Sequence, residues 1–163
     1  MKKNKLNIGF FTDTYKPQIN GVVSSIESFR QELIKQGHKV YIFCPKVDYE
    51  QSSDKIIRFK SVKFILQPEY QVSLPFSRKI LQRFWNKELD IVHAHTPFSL
   101  GQLAYAYSQI KKRPFIYTFH TLYPEYVKAY IFKGKILTPK MVEKLVAMFS
   151  NRCDLNIAPS VKI

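Results

Sequence analysis

The stretch Asn7-Ile8-Gly9-Phe10-Phe11-Thr12-Asp13-Thr14-Tyr15-Lys16-Pro17-Gln18-Ile19-Asn20-Gly21-Val22-Val23 leaves a chain few ways to fold. Asn7 to Phe11 is an apolar run without polar alternation, the pattern of a strand covered on both faces of a parallel sheet. Thr12 to Asn20 is a polar loop, and Pro17 bars regular helix inside it. Asn20-Gly21 then opens a helix with Val22, Ile26, Phe29 and Leu33 on one face. Lys35-Gln36-Gly37 closes it, Gly37 standing where a C-terminal cap belongs. Strand, loop and helix in this order form the entry unit of an open α/β sheet. Such sheets bind ligands outside the carboxyl ends of their strands, where Asp13, Tyr15, Asn20 and Gly21 fall.

The rest of the chain repeats the alternation. Lys39 to Cys44 reads as a second strand, ended by Pro45. Ile56 to Phe59 and Val62 to Ile65 are short extended segments, and Pro68 and Pro75 bracket irregular chain. Phe76 to Lys87 is helical, Asp90 to His95 a strand, Leu100 to Lys111 a helix and Pro114 to His120 a strand. Pro139 stands just inside a last helix reaching Arg152, and Leu155 to Ala158 is a final strand before Pro159. Strands alternating with helices predict a parallel sheet wrapped on both faces. At 163 residues the chain is expected to be one domain, and its stop just after a strand suggests a fragment.

Charge narrows the partners. Twenty-six basic residues against 12 acidic leave +14, a surplus that points to nucleic acid, an anionic membrane or a phosphorylated substrate. Cys44 and Cys153 are too few for a disulfide framework. No run is long enough for a membrane span, and Leu6 to Phe11 is too short for a signal-peptide core. A cytoplasmic protein with peripheral membrane contact is expected.

Several chemistries are excluded. A nicotinamide or flavin site needs Gly-x-Gly-x-x-Gly after strand one and an acidic residue ending strand two; here the loop holds only Gly21, and strand two ends in Cys44-Pro45. No glycine-rich loop closes in Gly-Lys-Ser/Thr, and no two Asp residues are separated by a single residue. His93 and His95 point the same way from one strand, but no carboxylate or thiolate stands near them in sequence. Packing or a polar substrate explains the pair better than a metal, and no metal is expected.

Phe11 to Val22, Gly37-His38-Lys39-Val40, Asp90 to Phe98, Tyr117 to Thr121 and Ile157-Ala158-Pro159-Ser160 resemble, in order, the N-terminal half of retaining glycosyltransferases of family 4. His120-Thr121-Leu122-Tyr123-Pro124-Glu125-Tyr126 and Lys133-Gly134-Lys135 look most like the bacterial 1,2-diacylglycerol 3-glucosyltransferases. The resemblance implies the GT-B fold, two Rossmann-like domains across a cleft, with residues 1–163 as the acceptor side and the nucleotide-sugar domain absent. It implies a nucleotide sugar (UDP-glucose) as donor substrate, a lipid (diacylglycerol) as acceptor, transfer with retention and no cofactor. Gly21 matches the family's glycine loop, where a missing side chain lets phosphate and acceptor approach. Asn20 replaces a second glycine there, and a positive φ is accessible to it. His120 matches the histidine beside the transferred sugar, and Asp13 becomes a candidate for orienting the acceptor hydroxyl or taking its proton. Tyr15, His95 and Thr121 are the remaining candidate substrate contacts. Without the resemblance, Asp13 reads as a cap or turn residue, His120 as a satisfied strand-end histidine and His38 as structural.

One helix concentrates the charge. At about 100° per residue, Ile80, Leu81, Phe84 and Trp85 share half the circumference of Phe76 to Lys87. Arg78, Lys79 and Arg83 lie opposite, with Lys87 at the boundary. Two readings are open: a helix lying in an anionic membrane surface at the inner face of the cell membrane, or a surface helix packing on the sheet. Tyr126 to Lys144 is a second basic and aromatic stretch, carrying Lys128, Lys133, Lys135, Lys140 and Lys144. A lipid acceptor favours the membrane. The rivals are a polysaccharide or soluble acceptor, and a non-catalytic nucleic-acid-binding domain. Against the last, many aromatics fall at core-like strand positions and no RNA-binding motif occurs, so no nucleic-acid partner is expected.

Overall fold

The computed structural model describes residues 4–47, 52–64, 67–74, 78–120 and 138–158. β1 (Asn7–Phe11) pairs on one side with β2 (Lys39–Pro45), which pairs in turn with β3 (Ile56–Phe59). On its other side it pairs with β6 (Ile91–Ala94), followed outward by β7 (Phe115–Thr118) and β8 (Leu155–Ile157). Every pairing in this six-stranded sheet is parallel, as the buried apolar strands predict. The chain winds outward first from β1 to β3, then returns to the other side of β1. The switch point therefore lies between β1 and β6.

Side chains alternate across β1, so Phe10 and Phe11 enter different cores. Phe10 packs with Ile8, Tyr15, Ile42, Cys44 and Ile26 of α1 (Gly21–Lys35). Phe11 packs with Phe43, with Phe84 of α2 (Arg78–Trp85), with Leu100, Ala104 and Tyr107 of α3 (Ser99–Lys111), and with Phe149 of α4 (Pro139–Ser150). Helices thus cover both faces, and the fold is the Rossmann-like α/β sheet expected. Gly37 has φ +92 and ends α1 in the left-handed region, the conformation a glycine takes without strain.

Two expectations change. The chain around Pro68 forms a hairpin, β4 (Ser61–Phe64) antiparallel to β5 (Gln67–Ser73), with a register irregularity at Lys63/Phe64. Each strand of a two-stranded sheet has a free edge, so a proline without an N–H is tolerated there.

The second change concerns α2. Phe84 is wholly buried, with ring centroids 5.7 Å from Phe11, 5.2 Å from Phe43 and 5.0 Å from Tyr107. Trp85, half-buried, stacks on Tyr107 at 5.3 Å. The apolar face of α2 is spent on the sheet, so Phe84 and Trp85 are core residues rather than membrane anchors. Of the basic residues, Arg78 and Lys79 are exposed. Arg83 donates to the Ser53 carbonyl at 3.1 Å, and the Lys87 ammonium lies 5.0 Å from the Tyr41 ring centroid. Lys128, Lys133 and Lys135 lie outside the described residues.

Gly101, in the first turn of α3, sits against the loop that carries the site. A Cβ there would lie 2.1 Å from the Thr96 carbonyl oxygen. Helix propensity alone favours alanine over glycine by about 1 kcal/mol, but backbone cannot yield as a flexible side chain does. Gly101→Ala is expected to reverse that sign and cost about 1–3 kcal/mol, lowering the thermal midpoint by roughly 2–4 °C per kcal/mol. A midpoint at or above the parent's would show that the loop gives way freely.

Candidate active site at the switch point

The loops after β1 and β6 meet over the switch point, and Asp13 joins them. Its Oδ2 accepts from Thr96 Oγ at 2.7 Å; its Oδ1 accepts from Ser99 Oγ at 2.8 Å and from the Leu100 N–H at 3.3 Å. In return, the Asp13 N–H donates to Thr96 Oγ at 3.0 Å. The N-cap of α3 is Phe98, which has no side-chain acceptor to offer the first turn. Asp13 supplies that cap from the loop after β1, where the helix dipole also favours its negative charge. Burial pushes its carboxyl upward, and the bonds from Thr96, Ser99 and Leu100 pull it partly back. Three donors leave a carboxylate room for about one more.

Beside Asp13 lies a row of imidazoles. His93 and His95 project from the end of β6 onto the α1 face, stacked at 4.2 Å. Phe10 lies T-shaped to both, with ring centroids 5.1 and 4.8 Å away, and Phe29 of α1 stands 6.1 and 6.4 Å away. His93 Nε2 is 2.7 Å from Thr118 Oγ1, and His95 Nδ1 is 2.9 Å from Nε2 of His120, just past β7. Burial holds all three rings neutral: His93 falls to about 3 and His120 to about 4, and His95 lies well below the ordinary value. Each like-charged neighbour pushes His93 and His95 further the same way. Two of the nitrogens face each other rather than a common point. Among the described residues, no group of three His, Cys, Asp or Glu is placed to hold a metal ion.

The loop between β1 and α1 is held from within. Asn20 Oδ1 accepts from the Val23 N–H at 3.0 Å, and its Nδ2 donates to Thr14 Oγ at 3.1 Å. Its φ is −152, so Asn20 serves as an extended N-cap and the expected positive φ is not used. Tyr15, expected as a substrate contact, is nearly wholly buried: its ring packs in the α1 core and its hydroxyl donates to Glu27. Burial, then the Glu27 bond, drives that phenol well above its ordinary value. Burial also pushes Glu27 upward, but donors from Lys16 and Tyr15, with Arg30 nearby, bring its carboxyl below the ordinary value. Gly21 opens α1, and no described residue lies within 4 Å of where a Cβ would stand, which, among the described residues, leaves the first N–H groups of α1 open toward an anionic ligand. A groove of about 470 Å³ runs alongside, lined by Lys16, Pro17, Ile19, Val23, Glu27 and neighbours.

The sequence profile described as Glycosyltransferase Family 4 matches residues 19–163. The chain belongs to glycosyltransferase family 4. It is 41% identical over 157 residues to an alpha-monoglucosyldiacylglycerol synthase of Streptococcus pneumoniae, covering 95% of this chain and 35% of that protein. It is 31% identical to the alpha-monoglucosyldiacylglycerol synthase of Acholeplasma laidlawii, covering 97% of this chain and 42% of that one. A phosphatidylinositol N-acetylglucosaminyltransferase component of Arabidopsis thaliana is 29% identical across 73% of this chain and 28% of its own. The family 4 chain thus spans well under half the length of these relatives.

Of the residues named from sequence, the structure brings Asp13, Asn20, Gly21, His95 and His120 to the carboxyl edge of the sheet. Tyr15 turns into the core, and Thr121 lies outside the described residues. Thr96, Ser99, Thr118 and Phe29 were not singled out. Thr96 and Ser99 carry no signal by themselves, because their partner Asp13 is more than 80 residues away and only the β1–β6 pairing joins them. Helical periodicity placed Phe29 on the apolar face of α1 without showing what it covers.

Proposed function

We propose that this chain forms the acceptor side of a retaining glucosyltransferase that moves glucose from UDP-glucose to diacylglycerol at the inner membrane surface. The observation that carries it is the likeness to the streptococcal synthase across 95% of the chain, together with Asp13, Gly21 and His120 at one sheet edge. The reaction breaks the bond between the sugar C1 and the diphosphate oxygen and forms one from C1 to the acceptor oxygen. The departing diphosphate takes the acceptor proton. Neutral His120 hydrogen-bonds a sugar hydroxyl or the acceptor oxygen, and the spare lone pair of Asp13 orients the acceptor hydroxyl. Gly21 admits phosphate to the positive end of α1.

No described helix is long and apolar enough to cross a membrane. The apolar side of α2 is buried, so attachment falls to another face. On α4, Met141, Leu145 and Met148 are 50%, 55% and 46% exposed, spaced by four and three along one stripe. Lys140 and Lys144 flank them. This stripe enters the bilayer boundary while exposed lysines meet anionic headgroups, about 1 kcal/mol each.

Two measurements test this reading. In an enzyme that joins this chain to a nucleotide-sugar-binding half, transfer of labelled glucose from UDP-glucose to diacylglycerol in mixed micelles is expected, with His120→Ala slower by about 10²-fold or more. Activity on soluble sugars with none on diacylglycerol would refute the lipid acceptor. Sedimentation with phosphatidylglycerol vesicles is expected to be salt-sensitive and reduced in Leu145→Ser. Binding equal to the parent in that variant would remove α4 from the contact.

A further inference from the structure

His95 lies wholly inside the protein, and only one of its ring nitrogens is satisfied. Nδ1 is 2.9 Å from His120 Nε2, while Nε2 is buried with no hydrogen-bond partner among the described residues. Both rings are neutral, so the contact holds a single proton and has two possible directions. If His120 donates from Nε2, the His95 proton moves to its own Nε2 and becomes a buried N–H without an acceptor. If His95 donates from Nδ1, its Nε2 carries only an unpaired lone pair. Among backbone groups, buried orphan N–H are rarer than under-satisfied acceptors; carried over to an imidazole, the same preference favours the second arrangement. The rings closest to His95 are His93, centroid 4.2 Å away, and Phe10, 4.8 Å away, and neither has a conventional acceptor bonded to Nε2.

The direction has a consequence at the site. With His120 Nε2 fixed as acceptor, its proton must sit on Nδ1, the nitrogen without a partner among the described residues. The geometry points to His95 as a positioning residue that locks His120 as the Nδ1–H tautomer, so that His120 meets its ligand as a hydrogen-bond donor. The ligand atom it takes is therefore an oxygen with a free lone pair, as on a sugar hydroxyl or a phosphate. The hydroxyl's own proton is left for another acceptor such as Asp13. His95 itself touches no ligand; it acts through the ring it holds. What the donor serves rests on the glucosyltransferase reading, but the tautomer does not.

The chain has four histidines, which makes ring-nitrogen NMR tractable with ¹⁵N-labelled histidine. At pH 7.5 in the unliganded protein, the His120 spectrum is expected to show a protonated Nδ1 and a pyridine-like Nε2, and His95 the same tautomer. A pyridine-like Nδ1 on His120 would overturn the proposal without bearing on glucosyl transfer. Two variants extend the test. His95→Phe fills the space without a donor and is expected to return His120 to averaged nitrogen shifts. His95→Asn keeps an N–H near the Nδ1 position and is expected to preserve the Nδ1–H form. A His120 spectrum unchanged in His95→Phe, or averaged alike in both variants, would overturn it. Should His95→Phe fail to fold, the parent spectrum decides alone.

Discussion

Replacing Phe84 by alanine is expected to destabilise the protein by about 3–5 kcal/mol, the cost of emptying a large aromatic site in a packed core. The ring is enclosed by Phe11 and Phe43 from the sheet, by Tyr107 from α3 and by its neighbour Trp85. These come from four separate elements, so the cavity has no single flexible wall to collapse. Against a total stability of about 5–15 kcal/mol for a domain, the loss is large. It should appear in urea unfolding as a lower midpoint at nearly unchanged slope. Glutamine at Arg78 or Lys79, both exposed, should stay within about 0.5 kcal/mol. A Phe84→Ala midpoint within error of the parent would mean that α2 is not seated on the sheet. The contrast matters for membrane experiments: loss of vesicle binding in a Phe84 variant would report a damaged core, whereas Leu145→Ser changes an exposed side chain.

Acidification is expected to cost nearly as much. His93 and His95 are buried and neutral, their folded values depressed by desolvation and by one another or His120. An unfolded histidine takes up its proton near pH 6.5. Between that point and the folded value the unfolded chain binds more protons, so stability falls as pH falls. From pH 7.5 to 5 each ring loses about 2 kcal/mol, or roughly 4 kcal/mol for the two. His120, half-buried with a folded value of about 4, adds in the same direction but less, because solvent screens it. Glu27, held below its ordinary value, adds to the loss at more acid pH. Asp13 runs the other way: its raised carboxyl takes a proton more readily when folded, which offsets part of the loss. Urea unfolding at pH 7.5, 6 and 5 would read the slope. A flat profile would mean that the histidines are solvated.

Both results come from positions where pattern and packing parted. The alternation of strand and helix was legible throughout, because strands buried on both faces must be continuously apolar and helices must repeat near 3.6 residues. The same logic could not say what the apolar face of α2 touches. A basic, amphipathic helix has one pattern whether it lies on lipid or on a sheet, and the rings of β1 and β2 settled the matter. At Asn20 the residue was singled out but its conformation was not: an asparagine before a helix can take positive φ or cap the helix. The Val23 N–H, otherwise unpaired, selected the cap. Tyr15 sits in the loop by sequence and in the core by structure, because Glu27 lies on the inner side of α1 and takes its hydroxyl.

Local order alone determined the chain's class, its first strand–loop–helix unit and the placement of Asp13, Gly21 and His120 at strand ends. Those follow from spacing, and spacing is written in the sequence. Strand order is not. Only the tertiary structure put β6 beside β1, and with that one pairing Asp13 became the cap of a helix that begins 86 residues later. The β6–β7 neighbourhood likewise brought His95 within 2.9 Å of His120. Contacts between residues so far apart depend on which strands the chain chooses to lay side by side, and that choice is made by the whole core.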